Sequence, residues 1–312
     1  MPLAYPYHQP SAEAVQRMIV KLGLTGDEPG VLALGGLPRA CERFLNRHRA
    51  EKDPVAHAAT HMAETLAGRE EHRLDSASGI NQGGMSIEVR RRMGAVWPGY
   101  WCGRSPSGSP VCHYTLGDLN VKALCQQFSE DEMRDFFLSF NCRGLSLQNL
   151  AFAPGTPSAT WSGPIEIYDL EGLGWEQLYL PGLMMLARVV RLGASLFPDN
   201  LGLAIVINAP TIFHFAWQIL KRVLPDDTIA RVQIRADDGR SVLEEILGGA
   251  AALDALLASR DEERSAAQAG LFVLGVDLDH LVAEQGQHDN QQEPKTALSE
   301  QQQLVGLSPL TA

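Results

Sequence analysis

The chain has 312 residues, of which 45% are hydrophobic and 20% are charged, a composition that excludes a disordered or fibrous chain. Its apolar runs fall short of the roughly 18 residues that a membrane-spanning helix needs. The formal net charge of -11 opposes nonspecific attraction to phosphate backbones, so we do not expect a nucleic-acid partner.

Residues 1–85 predict a small N-terminal helical lobe. Ser11 is placed to cap a helix that ends near Leu22, and Gly and Pro residues between positions 23 and 38 end it. Asp53 followed by Pro54 marks the start of another helix, after which apolar residues repeat at helical spacing. Residues 75–86 are rich in Gly, Ser and Asn and predict a linker between this lobe and the rest.

Residues 86–250 predict an α/β domain. Ser129 and Glu132 form a capping box at the start of its first predicted helix. Because strands alternate with helices, we expect a mixed, largely parallel sheet covered by helices and enclosing an apolar ligand cavity. The pattern places strands at 111–116, 165–170, 203–208 and 231–235, and helices at 130–142, 175–196 and 212–224.

The C-terminal region differs in composition from the rest. Residues 251–283 predict a helical extension, and residues 284–312, dominated by Gln, Asp, Asn and Glu, predict a disordered polar tail. Seven of the net negative charges lie beyond residue 250.

Two segments carry a family resemblance. The chain has the sequence IYDLEGLGWE from Ile167 and LFPDNLGLAIVINAPTIFHFAWQILKRVLPDDTIARVQI from Leu196. The Asp-Leu-x-Gly at a strand end, the Phe-Pro-acid before Leu-Gly and the Ile-Asn-Ala-Pro before an aromatic helix occur in the order and spacing of the CRAL-TRIO family, which they resemble. With the upstream segments GRSPSGSPVCHYTLGDLN and RFLNRHRAEKDPVAHAATHMAETLAGRE, the resemblance covers about residues 40–248.

The resemblance implies a noncatalytic protein that binds a lipid or other hydrophobic ligand and transfers it between membranes or presents it to an enzyme. Residues 212–226 would form a gate helix that opens at a bilayer. Each buried methylene contributes roughly 0.8 kcal/mol, so release of a long-chain ligand needs transient contact with a membrane surface. The predicted lipid-binding residues are Tyr168, Met184, Met185, Ile205, Ile207, Phe213, Trp217, Leu220 and Leu224.

The head-group positions depart from those of phosphoinositide-binding members. Those members place hydroxyl residues five and three positions before the strand-end aspartate, which here is Asp169, whereas this chain has Pro164 and Glu166. This difference argues against recognition of inositol phospholipids. Asp199 and Arg231 keep the family's acidic and basic types, and they predict either a gate or head-group charge pair or a purely structural ion pair.

Two other classes of function remain open. A protein-interaction or regulatory module on the same fold would suit the lost head-group residues. An isomerase or esterase acting on a lipid would need His113 and His214, which lie near predicted pocket elements. The chain has no Gly-x-Ser-x-Gly nucleophile motif, so an enzyme and a cofactor other than the ligand are not expected.

Several local patterns favour structural roles. His57 and His61 have a metal-ligand spacing but lack the intervening Glu of a metalloprotease, and Gly103 and Gly108 have the spacing of a phosphate loop without its Lys. We therefore predict solvated or helix-packing histidines, a turn and no metal. The arginines at 90–92 lie near Trp97, Tyr100 and Trp101, and either dock on anionic lipid heads or accompany aromatic packing between the lobes.

The cellular location follows from the cysteines and the N-terminus. The five cysteines form no CxxC pair, and the start lacks the basic-then-apolar order of a secretory signal. We therefore expect reduced thiols and a cytoplasmic protein that associates transiently with membranes.

Overall fold

The structure is a computed structural model that describes residues 8–76, 85–150, 163–177, 179–197, 201–222, 224 and 226–269. The chain divides into two compact units, residues 1–276 and 277–312, of which only the first contains described residues. The predicted tail, most of the predicted linker and the extension beyond residue 269 lie outside them. Among the helices of the described part, none is long and apolar enough to cross a membrane.

Within the described residues five α-helices precede the sheet, and a side chain caps the start of three of them, the first, the fourth and the fifth. The Ser11 hydroxyl accepts a hydrogen bond from the Ala14 amide at 3.2 Å, and the Asp53 carboxylate accepts one from the Ala56 amide at 3.1 Å. The sequence prediction missed the second helix and the start of the third, since Pro29 and Pro38 stand in first turns, where a missing N–H costs nothing. The helices are α1 (Ala12–Leu22), α2 (Pro29–Ala33), α3 (Leu37–Arg47), α4 (Pro54–Glu71) and α5 (Ile87–Val96).

In the part of the chain that the structure describes, the sheet has five strands in the order β1-β2-β3-β4-β5. The first pair is antiparallel and the others are parallel, so the predicted mixed, largely parallel sheet is confirmed. The sequence prediction missed β1, and the predicted turn at residues 103–108 joins β1 to β2. The strands are β1 (Gly99–Arg104), β2 (Pro110–Thr115), β3 (Ile165–Asp169), β4 (Leu203–Ile207) and β5 (Val232–Ile234).

Seven further α-helices of the described ranges surround the sheet. The capping box is confirmed, because the Ser129 amide donates to the Glu132 carboxylate at 2.8 Å and the Glu132 amide donates to the Ser129 hydroxyl at 3.2 Å. The helix predicted at 175–196 is instead a 3₁₀ turn, Trp175–Gln177, followed by a separate helix. The helices are α6 (Val121–Gln127), α7 (Glu130–Leu150), α8 (Leu180–Leu196), α9 (Phe213–Leu220), α10 (Asp226–Ile229), α11 (Arg240–Leu247) and α12 (Ala250–Gln268).

Successive side chains of each strand point to opposite faces of the sheet, so the sheet separates two apolar layers. One side of the sheet, the α12 face, packs against α11 and α12 through Leu243, Leu247, Leu253 and Leu256. The other side, the α9 face, is covered by α7, α8 and α9. The α12 face carries Val111, His113, Ile165, Ile167, Leu203, Ile205 and Ile207, and the α9 face carries Cys112, Tyr114, Glu166, Tyr168, Ala204 and Val206.

Two buried arginines connect the N-terminal helices to helices of the sheet region. Arg43 of α3 donates to the side chains of Gln148 and Asn149 near the end of α7, both at 2.9 Å. Arg69 of α4 donates to the Leu196 carbonyl at the end of α8 at 3.0 Å. Because α1–α5 also share one apolar core with β1, β2 and α7, these helices are held firmly against the sheet region.

Candidate ligand-binding site

A tight turn after β4 directs the chain into α9. Asn208 adopts a positive φ of 52°, which Asn tolerates better than most residues, and its side-chain amide donates to the Asp169 carboxylate at 2.8 Å. The Ala209 amide donates to the Arg235 carbonyl at 2.9 Å. These bonds join the ends of β3, β4 and β5, so the Ile-Asn-Ala-Pro segment fixes where α9 begins.

Helix α9 has apolar side chains on both its inner and outer sides. Phe213 and Ala216 are buried and form a small cluster with Leu170 and Val206. Phe215 points away from that cluster and is 56% exposed. The Ile212 side chain makes no capping bond at the N-terminus of the helix. Packing on the sheet therefore buries the apolar side chains on only one side of this helix.

Further apolar side chains are exposed in the 3₁₀ turn before α8 and in the first turns of α8, the helix that packs against α9. Trp175 is 77% exposed, and Leu180 and Met184 are about half exposed. Exposed apolar residues of this size are informative when they concentrate on neighbouring elements. We call Trp175, Leu180, Met184 and Phe215 the apolar rim.

The structure brings together some of the predicted lipid-binding residues. Tyr168, Phe213 and Trp217 lie in or against the small cluster beneath α9, and the Phe213 and Trp217 rings are 6.4 Å apart. Leu220 and Leu224 are partly buried at and just after the end of α9. Of the predicted residues, the structure thus brings Tyr168, Phe213 and Trp217 into one cluster.

Other predicted residues lie elsewhere. Ile205 and Ile207 are on the α12 face, packed against α11 and α12, while their neighbour Val206 faces α9. Since every residue of β4 is buried, the sequence alternation did not reveal which side chains face the helix. Met185 packs against the larger core shared with the N-terminal helices, whereas Met184 belongs to the apolar rim.

The predicted charge pair is described only in part. Asp199 lies outside the described residues. Arg231 is buried, and its guanidinium donates to the Leu201 carbonyl on the segment that enters β4. Arg231, which directly precedes β5, thus contacts the backbone that leads into the neighbouring strand β4.

Sequence reasoning missed a buried polar interaction on the α9 face of β3. Glu166 is 9% exposed, and its carboxylate accepts a hydrogen bond from the Tyr168 hydroxyl. Burial raises the pKa of Glu166 to about 7, and the hydrogen bond from Tyr168 opposes that shift. The Tyr114 ring stacks on Tyr168 with centroids 4.8 Å apart. The available signal was the period-two alternation of β3, which places Glu166 and Tyr168 on one face.

The histidines considered for catalysis are on different sides of the sheet. His113 is 1% exposed on the α12 face, and burial lowers its pKa to about 4. His214 is exposed on α9, and its Nε2 atom lies 3.0 Å from Nε2 of Gln218. The structure therefore does not bring these two histidines into one site.

The metal-spaced histidines pack between helices. Nδ1 of His61 lies 2.9 Å from Nε2 of His48, and the His57 ring stacks on His48 with centroids 6.2 Å apart. Within the described ranges, no group of three or more His, Cys, Asp or Glu side chains is placed to hold a metal ion. The spacing thus produces ring packing between α3 and α4.

The aromatic residues near the arginine run are part of the core. Trp97, Tyr100 and Trp101 are all buried, and the Trp97 and Trp101 rings pack against Phe140 of α7. This arrangement agrees with the packing interpretation of the cluster.

Two cavities lie away from the α9 face. One, of about 500 Å³, lies between α1 and the start of α4 and includes Val20 and Val55. The other, of about 220 Å³, lies among α5, α6 and α12 and includes Tyr100 and Arg264.

The chain is similar to known proteins over most of the described region. Residues 95–247 match the CRAL/TRIO domain family. Protein real-time of Aedes aegypti is 29% identical over 187 residues, which cover 60% of this chain and 27% of that protein. The CRAL-TRIO domain-containing protein T23G5.2 of Caenorhabditis elegans is 24% identical over 207 residues, which cover 65% of this chain and 27% of that protein. The chain therefore spans about a quarter of the length of these relatives.

A solved structure extends the likeness to the fold. The crystal structure of Sfh5 superposes with a TM-score of 0.56 at 14% identity, covering 89% of this chain and 94% of that one. At this level of identity the likeness concerns the fold alone.

Proposed function

Residues 95–247 of this chain form a CRAL-TRIO domain, and we propose that the protein carries a lipid or other hydrophobic ligand between α9 and the sheet. Proteins of this family are generally noncatalytic lipid-binding and lipid-transfer proteins. In this proposal α9 opens at a membrane surface, and the ligand passes between membranes or to an enzyme there. The observation that carries the proposal is the distribution of apolar side chains on α9 and the adjoining apolar rim.

Insertion of α9 into a bilayer offsets the cost of opening it. The helix is attached to the sheet mainly by Phe213 and Ala216. Full burial of a Phe side chain is worth about 1.5–3 kcal/mol, so separating the helix from the sheet costs a few kcal/mol. Insertion of Phe215, Trp217 and Leu220 into the interfacial region recovers a similar amount.

Basic residues at the end of α9 also support contact between this helix and a membrane surface. Lys221 and Arg222 follow directly after the last helical residue, Leu220, and Arg222 is exposed. Basic side chains beside an apolar helix face favour anionic lipid surfaces, at about 1 kcal/mol for each charge near the surface. We therefore expect faster transfer from vesicles that contain anionic lipid.

The proposal is tested by transfer of a fluorescent acyl-chain lipid between donor and acceptor vesicles. A Phe215→Asp substitution places a charge on the outer side of α9 and is expected to slow transfer several-fold without unfolding the protein, because that side chain is exposed. Ile87→Asp is the matched control, since Ile87 is 83% exposed at the start of α5, where an acidic residue is tolerated. Equal rates for the two variants would contradict the proposed role of α9.

A further inference from the structure

The cavity among α5, α6 and α12 has an apolar wall next to a pair of opposite charges. Its volume is about 220 Å³. A cavity of about 150 Å³ binds benzene, so this one holds a ligand of roughly nine non-hydrogen atoms. Apolar side chains form part of its wall: Val96, Trp97, Pro98, Ala123 and Leu124. Asp118 and Arg264 line the same cavity, which therefore offers both charges beside an apolar surface.

Asp118 and Arg264 form an ion pair that a ligand can separate at small cost. The Arg264 guanidinium, on α12, donates to the Asp118 carboxylate, in the 3₁₀ turn Leu116–Asp118, at 2.9 Å. The side chains of Arg264 and Asp118 are 36% and 61% exposed. Because water screens a pair this exposed, the pair contributes little to stability, and both groups are open to other partners.

The cavity is distinct from the surface proposed for the lipid. It lies away from the α9 face, and Arg264 belongs to a helix that begins at Ala250, after the family match ends at residue 247. A ligand in this cavity would therefore be a second ligand, and its binding would not depend on lipid carriage.

We propose that the cavity binds an α-amino acid with an apolar side chain. The Arg264 guanidinium presents a planar fork of N–H donors that matches the ligand's carboxylate, and the Asp118 carboxylate accepts hydrogen bonds from its ammonium group. The ligand's side chain lies along the apolar wall. A ligand with one charge separates Asp118 from Arg264 and supplies a partner for only one of them. A zwitterion supplies both, so the pair selects it over an acid or an amine of the same shape.

The test compares four ligands by isothermal titration calorimetry of the full chain at neutral pH. L-Leucine carries both charges and has about the size that the cavity holds. Isoamylamine is leucine without its carboxylate, 4-methylpentanoate is leucine without its ammonium group, and glycine keeps both charges without the apolar side chain. We expect L-leucine to bind at least about fivefold more tightly than each of the others, as the loss of a charged hydrogen bond or of a buried Leu side chain implies.

Two substitutions assign each charge to its partner on the ligand. In Arg264→Met, L-leucine and isoamylamine should bind within about twofold of each other, because the carboxylate has lost its partner. In Asp118→Ala, the same should hold for L-leucine and 4-methylpentanoate. Arg240→Met is the matched control, since Arg240 forms a similarly exposed pair with Asp254 of α12 outside the cavity wall and its loss should leave the preferences unchanged.

A third substitution locates the ligand. Ala123 lies on α6 in the cavity wall and is partly exposed, so the side chain of Ala123→Phe occupies the space of the ligand's side chain. This variant should bind L-leucine at least about tenfold more weakly. Lys122→Phe is the matched control, because Lys122 is exposed on the same helix and lies outside the cavity wall.

Each contrary result overturns the proposal. Equal binding of L-leucine, isoamylamine and 4-methylpentanoate removes the role of the charge pair. L-Leucine binding that Ala123→Phe leaves unchanged places the ligand elsewhere. Absence of L-leucine binding to the folded protein removes the site, and lipid carriage stands in every case because the two sites are separate.

Discussion

Arg69 of α4 is expected to be one of the side chains whose loss costs the fold most. Its guanidinium donates to both carboxylate oxygens of Asp75, at 2.8 and 2.7 Å, and to the Leu196 carbonyl at 3.0 Å. It also lies over the Phe197 ring, 5.1 Å from the centroid. The side chains of Arg69 and Asp75 are 1% and 10% exposed, so water cannot replace these contacts.

The magnitude follows from burial. Removing one partner of a buried ion pair leaves the other charge uncompensated and costs roughly 3–5 kcal/mol. We therefore expect Arg69→Met to lower the free energy of unfolding by that amount. The double substitution of Arg69→Met with Asp75→Leu should recover part of the loss, because it removes the stranded carboxylate.

Urea unfolding of the purified variants measures these differences. Arg188→Met is the matched control, since Arg188 also makes two hydrogen bonds to one carboxylate, that of Glu130, but both side chains are more than half exposed. That loss should stay below about 1 kcal/mol. Equal costs for the Arg69 and Arg188 variants, or a double variant no more stable than Arg69→Met alone, would refute this reasoning.

Two further predictions concern titratable side chains. A maleimide reagent should label Cys125 first in the native protein, because Cys125 is partly exposed and the other four cysteines are buried: Cys41, Cys102, Cys112 and Cys142. Peptide mass spectrometry measures the labelling, and equal labelling of all five cysteines would disprove the prediction. The pKa of His113 is about 4 in the folded protein against about 6.5 when unfolded, so the unfolded state binds the extra proton and stability falls as pH drops from 6.5 to 4. His113→Gln should remove up to about 3 kcal/mol of that fall, and an unchanged pH dependence of urea unfolding would contradict it.

Local chemistry explains which elements the sequence predicted well. Ser11, Asp53 and Ser129 each bond an amide in the first turn of the helix that follows, and those starts were placed correctly. The alternation of strands and helices likewise indicated the parallel part of the sheet. These features are set by residues close together in the chain, so the sequence pattern indicates them.

Features set by distant contacts were harder to predict. The residues of β1 from Gly99 to Cys102 are all buried, so the strand shows no alternation, and it became identifiable only through its pairing with β2. Uniform burial of β4 likewise hid the fact that Val206, and not Ile205 or Ile207, faces α9. The sequence therefore identified β4 as a strand and did not indicate which of its side chains face α9.

The position of Glu166 shows a different limit. The resemblance marked it as a departure from the phosphoinositide-binding pattern, which says what is lost. Its hydrogen bond with Tyr168 and the small side chains on either side of it become apparent only once the strands are paired.

The central claim is that the protein carries a hydrophobic ligand, and mass spectrometry of an organic extract tests it most directly. The protein is purified in the absence of detergent, and a Trp217→Asp variant is prepared in parallel. We predict one lipid class at about one molecule per chain, reduced in the variant, because Trp217 packs against the cluster beneath α9. An empty extract from well-folded protein that also takes up no lipid from vesicles would contradict the account and favour a protein-interaction module on the same fold.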